Sequence, residues 1–218
     1  EGGATSMLGG GAVMRGVSGH SHRVHPDGLE TALNAVRWGD PHHSQPAVLS
    51  LTQPTDMGTV YTLDEVTALA DIAHGRGLRV HIDGARIANA TARLGCSPAE
   101  ITWQAGVDVL SFGGTKNGIH VGETVVFFNL ALAEEFAYRT KQAGQLCSKM
   151  RFMSAPWVGM LRDDVWLRHA AHANAMATLL HDLVATCPSA RILFPRQVNS
   201  VFVDLPKPVI QALWDKGW

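Results

Sequence analysis

From Asp27 onward the apolar positions fall into a regular rhythm. Leu29, Leu33 and Val36 recur at helical spacing and stop near Gly39. Residues 47–51 form a short apolar run, read as a buried strand, and residues 53–60 read as a loop. Thr62 and Glu65 form a capping-box signature, and Val66, Leu69, Ala70 and Ala73 follow at helical spacing. Gly77 closes that helix as a C′ residue. A strand is predicted over 78–82, a helix over 86–94 ending at Gly95, and a further helix beginning near Pro98. Strands follow over 107–112 and 121–128. Strands alternating with helices imply βαβ units and a mostly parallel sheet covered on both faces.

The rhythm changes after Asn129. Residues 130–150 read as helical with a break near Gly144, and 166–186 as one long helix with Ala170, Ala173, Ala177, Leu180 and Val184 along a face. Short strands over 191–194 and 200–205 and a helix over 208–216 follow. The expected fold class is α/β, with part of a smaller α+β domain. The expected division is 1–135 for the C-terminal part of a large domain, 136–165 for connecting helices, and 166–218 for an incomplete small domain. No internal repeat or low-complexity tract is present.

Composition narrows the function classes. The 218 residues are 46% hydrophobic and 17% charged, so a packed core is expected rather than disorder. A formal charge of −1 argues against a nucleic-acid or anionic-membrane surface binder. No apolar run is long enough to span a bilayer, and the first residues lack a signal-peptide layout. Cys96, Cys147 and Cys187 stand far apart without a CxxC spacing, which fits a reducing, cytoplasmic setting and buried small hydrophobes. Six tryptophans, mainly on predicted helices, are assigned to packing and subunit contact.

Several polar features receive plain readings. Gly2, Gly3, Gly9, Gly10 and Gly11 make the opening a loop, and without GxxxxGK[ST] it is not a phosphate loop of that kind. His20, His22 and His25, like His42 and His43, read as polar loops. No Cys or carboxylate stands beside them at ligand spacing, so no metal is expected. The chain starts at Glu1 and stops at Trp218 just after a helical pattern, and a fragment is expected.

Two positions carry candidate chemistry. Asp83 follows one predicted parallel strand, and Lys116 follows the next after a Gly-Gly-Thr loop. They stand 33 residues apart, the length of one βαβ crossover (about 30 residues or more). In open α/β sheets the ligand crevice lies beyond the carboxyl ends of the strands. A lysine there can attack carbonyls, and a carboxylate can partner the pyridine nitrogen of pyridoxal 5′-phosphate (PLP). Arg86 would offer a fork for a substrate carboxylate. Alone, such an Asp is ordinarily a helix N-cap and such a Lys ordinarily solvated.

The words of the sequence add to this. His81-Ile82-Asp83-Gly84-Ala85-Arg86 and Ser111-Phe112-Gly113-Gly114-Thr115-Lys116-Asn117-Gly118 resemble two signature segments of the low-specificity L-threonine aldolases. These belong to the β-eliminating lyase branch of the aspartate-aminotransferase-like, fold type I PLP enzymes. Gly58-Thr59-Val60-Tyr61, Gln142-Ala143-Gly144-Gln145, Ser148-Lys149-Met150-Arg151-Phe152 and Asn199-Ser200-Val201-Phe202 match as well. The resemblance runs from about Ala47 to the C-terminus. It implies that Lys116 holds PLP, that Asp83 partners the ring nitrogen, and that Arg86 binds the substrate carboxylate and touches the cofactor. It also implies that Thr115 approaches the phosphate or orients the lysine. His81 is read as support for Asp83 rather than as a base. The family's phosphate loop, ring-stacking histidine and a further arginine would lie outside this chain.

The implied activity is cleavage of L-threonine or L-allo-threonine to glycine and acetaldehyde by a homodimer or homotetramer, with an isolated fragment inactive. The alternatives are another fold type I PLP lyase, an inactive piece of the fold, and a cofactor-free lysine aldolase, which would leave Asp83 unexplained. Nothing in the sequence fixes threo or allo preference.

Overall fold

The computed structural model describes residues 2–218. In chain order its elements are α1 (Ala4–Leu8), β1 (Gly19–His20), β2 (Arg23–Val24), α2 (Pro26–Asn34), β3 (Val48–Thr52), α3 (Leu63–Gly75), β4 (Arg79–Gly84) and α4 (Ile87–Leu94). There follow β5 (Val109–Phe112), β6 (Thr124–Phe127), α5 (Phe136–Gln142), α6 (Arg151–Leu161), α7 (Val165–Ala185), β7 (Arg191–Ile192), β8 (Val203–Asp204) and α8 (Lys207–Asp215).

The central sheet has the order β3-β4-β5-β6. The first three strands run parallel and β6 runs antiparallel to β5. Side chains alternate across a strand, and here the two faces differ in kind. Leu49, Leu51, Val80, Ile82 and Leu110 are buried on one face with Val66, Leu69, Ala70 and Ala73 of α3 and Leu29 and Leu33 of α2. The other face carries Ser50, His81, Asp83 and Ser111, and its Val48 and Val125 are 54% and 38% exposed. The mostly parallel sheet with flanking helices is as expected; within this chain α2 and α3 cover one face and the other is partly open. Polar residues at alternate positions of β3, β4 and β5 line that second face.

The capping box of α3 forms as expected. Glu65 N–H donates to Thr62 Oγ1 at 3.2 Å and Thr62 N–H donates to Glu65 Oε2 at 2.7 Å. Arg23 reaches the same Glu65 at 2.6 Å and the Val60 carbonyl at 3.1 Å, which ties the β1–β2 hairpin to the start of α3. A second core joins Ala88, Ile119, Met160, Trp166 and Ala170. There α4 lies along α7, and Asn174 Nδ2 donates to the Asn89 carbonyl at 3.0 Å. The C-terminal part returns to the main core through the fully buried Val198, and Gln197 Oε1 accepts from Val60 N–H at 2.6 Å.

Four expectations change. The segment after Pro98 is a turn and a 3-10 helix (Trp103–Ala105), not an α-helix. The Thr102 hydroxyl bonds back to the Pro98 carbonyl and Gly106 ends the run, leaving too few residues to propagate. The opening glycines flank the exposed helix α1, whose five residues contain none. Residues 130–150 divide into a 3-10 turn (Leu130–Ala133) and α5, with the break at Gly144 as expected. Cys96 is half-buried and Cys147 and Cys187 are exposed, because each lies in a turn after a helix rather than on its inner face. Among the described residues no helix is long and apolar enough to cross a membrane.

Candidate active site

The site grows from the pairing of β4 with β5. Asp83 registers with Ser111 and Gly84 with Phe112. The two motif segments therefore leave the sheet side by side at its carboxyl edge. Gly113 N–H donates to the Gly84 carbonyl at 3.1 Å, extending the pairing past the strand ends. Contact there is backbone to backbone: a Cβ on Gly113 would stand 2.5 Å from Ala85 atoms. Any side chain at position 113 would push the lysine segment away from the aspartate segment.

Asp83 lies inside β4 as its penultimate residue, not after it. It is half-buried, and its Oδ1 accepts from Ala85 N–H at 3.0 Å. That bond bends the chain toward Arg86, which is half-buried at the N-cap position of α4. Lys116 sits in a three-residue 3-10 turn (Thr115–Asn117) beyond β5, with its side chain exposed. The two strand ends thus bring Asp83, Arg86 and Lys116 to one edge of the sheet.

His81 occupies the same face as Asp83, one pleat earlier. Its Nδ1 lies 2.9 Å from Ser50 Oγ on β3 and its Nε2 lies 2.9 Å from Ser111 Oγ on β5. A neutral imidazole fills both roles, donating through one nitrogen and accepting at the other. Burial pushes the His81 pKa below its ordinary value, opposed by the charge of Asp83. The result is a row of three hydrogen-bonded side chains across three strands, beside Asp83.

The lysine turn is held from two sides. Glu123, just before β6, accepts from Gly114 N–H at 2.9 Å, Thr115 N–H at 3.3 Å and Thr115 Oγ1 at 2.5 Å. On the other side Asn117 Nδ2 donates to the Trp166 carbonyl at 3.0 Å, and His169 Nδ1 lies 3.3 Å from the Asn117 carbonyl. The Trp157 ring covers Gly114 so closely that a Cβ there would come within 2.7 Å of it. Sequence reasoning missed Glu123, Ser50, Trp157 and His169. Ser111 stood in a motif without a role. Only a strand register could have found Ser50, and Glu123 showed no more than a lone acid within a predicted apolar strand.

The model of the beta-eliminating lyase family matches residues 1–207. Over 184 residues the chain is 55% identical to the low specificity L-threonine aldolase of Pseudomonas sp. (strain NCIMB 10558), covering 84% of this chain and 53% of that one. It is 56% identical over 184 residues to the enzyme of the same name from Pseudomonas aeruginosa, with the same coverage. The chain spans about half the length of these curated relatives. A solved threonine aldolase structure from Leishmania major superposes with a TM-score of 0.86 at 24% identity, covering 97% of this chain and 61% of that one. At that identity the superposition speaks for the fold. The α/β fold expected from the sequence stands, and the chain belongs to the beta-eliminating lyase family.

Proposed function

We propose that this chain is part of a PLP-dependent aldehyde lyase that cleaves L-threonine or L-allo-threonine to glycine and acetaldehyde. The observation that carries the reading is the register of β4 with β5, which sets the Asp83–Arg86 segment beside the Lys116 turn. The donor set fits PLP: an exposed amine, a half-buried carboxylate and a half-buried guanidinium at one strand edge. The names of the Pseudomonas relatives support the substrate class.

Within this reading Lys116 would hold the cofactor through its amine. Asp83 would partner the ring nitrogen, and its own carboxylate is oriented by the bond it accepts from Ala85 N–H. Arg86 takes the substrate carboxylate through two parallel N–H donors. Neutral His81 leaves the charge of Asp83 uncancelled on that face. When bound, PLP supplies an electron sink for the pair released as the substrate's Cα–Cβ bond breaks.

Reduction of the full-length protein containing this chain with borohydride in the presence of PLP, followed by digestion and peptide mass spectrometry, tests the assignment. The expected result is a pyridoxyl group on Lys116 that Lys116→Ala abolishes, with acetaldehyde released from threonine by the unmodified protein. A label elsewhere, or none, would overturn the cofactor reading. A label at Lys116 with no acetaldehyde would overturn the substrate alone.

A further inference from the structure

We propose that Glu123 is a positioning residue that sets the conformation of the turn presenting Lys116. The inference rests on the reading of Lys116 as the amine that holds PLP. Its basis is separate, and lies in three hydrogen bonds to the two residues immediately before that lysine.

A three-residue 3-10 turn has little hydrogen bonding of its own, so its shape is set by what holds its ends. Here Gly114 and Thr115 on one side, and Asn117 on the other, are the held residues. Lys116 is the unfastened residue between them. Both oxygens of Glu123 are engaged: Oε2 by Gly114 N–H, and Oε1 by the amide and hydroxyl of Thr115. Donors to an ionised acceptor make shorter and stronger bonds than neutral pairs. The Asn117 anchor lies 49 residues away at Trp166, so the two holds are independent of each other.

The same geometry decides between the two roles open to Thr115. Its single hydroxyl proton is committed to Glu123 at 2.5 Å. A carboxylate already covers the amides of Gly114 and Thr115, and a phosphate placed there would meet like charge. Thr115 therefore belongs with lysine orientation and not with the phosphate. Glu123 reaches the turn because β6 is antiparallel to β5. The residue before β6 consequently stands at the carboxyl edge of the sheet, with Lys116.

The test uses the purified full-length protein containing this chain and its variants Glu123→Ala, Glu123→Gln and Thr115→Val. Amide hydrogen exchange at Gly114 and Thr115, measured without PLP, reads the clamp. The rate of pyridoxyl incorporation at Lys116, at saturating PLP and separately from PLP affinity, reads the presentation of the amine. Glu123→Ala is expected to speed exchange at both amides at least tenfold and to slow incorporation about tenfold. Glu123→Gln, which keeps the shape and one carbonyl acceptor, is expected to fall between it and the unmodified protein, and it serves if the alanine variant does not fold. Thr115→Val is expected to slow incorporation in the same direction. Unchanged exchange would overturn the clamp. Faster exchange with unchanged incorporation would reduce Glu123 to a structural role and overturn the proposal. Absence of any label on unmodified Lys116 would overturn the cofactor reading, and the role given to Glu123 with it, while the exchange result would still stand for the turn.

Discussion

His81 shows how a single side chain can be set by neighbours that sequence order separates widely. Its two serine partners lie 31 and 30 residues away. Burial depresses its pKa, so the unfolded chain, with a pKa near 6.5, takes up a proton before the folded protein does. The stability that this histidine contributes is present above about pH 6.5 and is lost as pH falls toward the lower folded value. Nitrogen NMR shifts of His81 should show one neutral tautomer at about pH 8, well above the ordinary histidine value, and Ser111→Ala should mix the tautomers. Replacing His81 with Asn should flatten the fall in denaturant midpoint between pH 7 and 5.5. At this scale the sequence was half legible. Asp83, Arg86 and Lys116 stand in motif segments that the sequence alone singles out. Ser50 and Glu123 do not, because their roles exist only once strands are paired, and no local pattern encodes a register.

Elements were most legible where the signal is local. The box of Thr62 and Glu65 and the C′ glycine Gly77 were readable because each acts within one turn of its own helix. Thr62→Ala removes the acceptor for Glu65 N–H and should lower stability by about 1 kcal/mol, measured as a drop in denaturant midpoint at unchanged slope. The Pro98 start was equally local in form but failed. Ser97 and Glu100 do bond reciprocally, through Glu100 N–H to Ser97 Oγ and Ser97 N–H to Glu100 Oε2. A helix start without length behind it gives only a turn. Helix α6 contains Pro156 five residues beyond its first residue Arg151 and still forms. Contacts such as Trp157 against Phe112, with ring centroids 4.9 Å apart, hold its second half in place.

Across the whole molecule the two edges of the sheet have separate duties. The carboxyl edge gathers Asp83, Arg86 and Lys116. The amino edge is fastened by Asp108, whose buried carboxylate accepts from Val80 N–H at 2.8 Å, His74 Nε2 at 2.9 Å and Asn129 Nδ2 at 3.3 Å. Burial alone would raise the Asp108 pKa, but these hydrogen bonds and the His74 charge together outweigh it and hold it below the ordinary carboxylate value. That stability is fully present above about pH 3.9 and is lost as pH falls through the depressed folded value. Acid titration followed by circular dichroism should show the loss, and Asp108→Asn should already be less stable at pH 7 with a flatter acid limb. The lysine turn and Glu123 have an entropic consequence as well. Their contacts span 8 or 9 residues, against about 30 for the row through His81. Closing the longer loop costs about 1 kcal/mol more in chain entropy. The β5–β6 contacts to the lysine turn are therefore the more local ones, while the contact through Asn117 to Trp166 closes a longer loop.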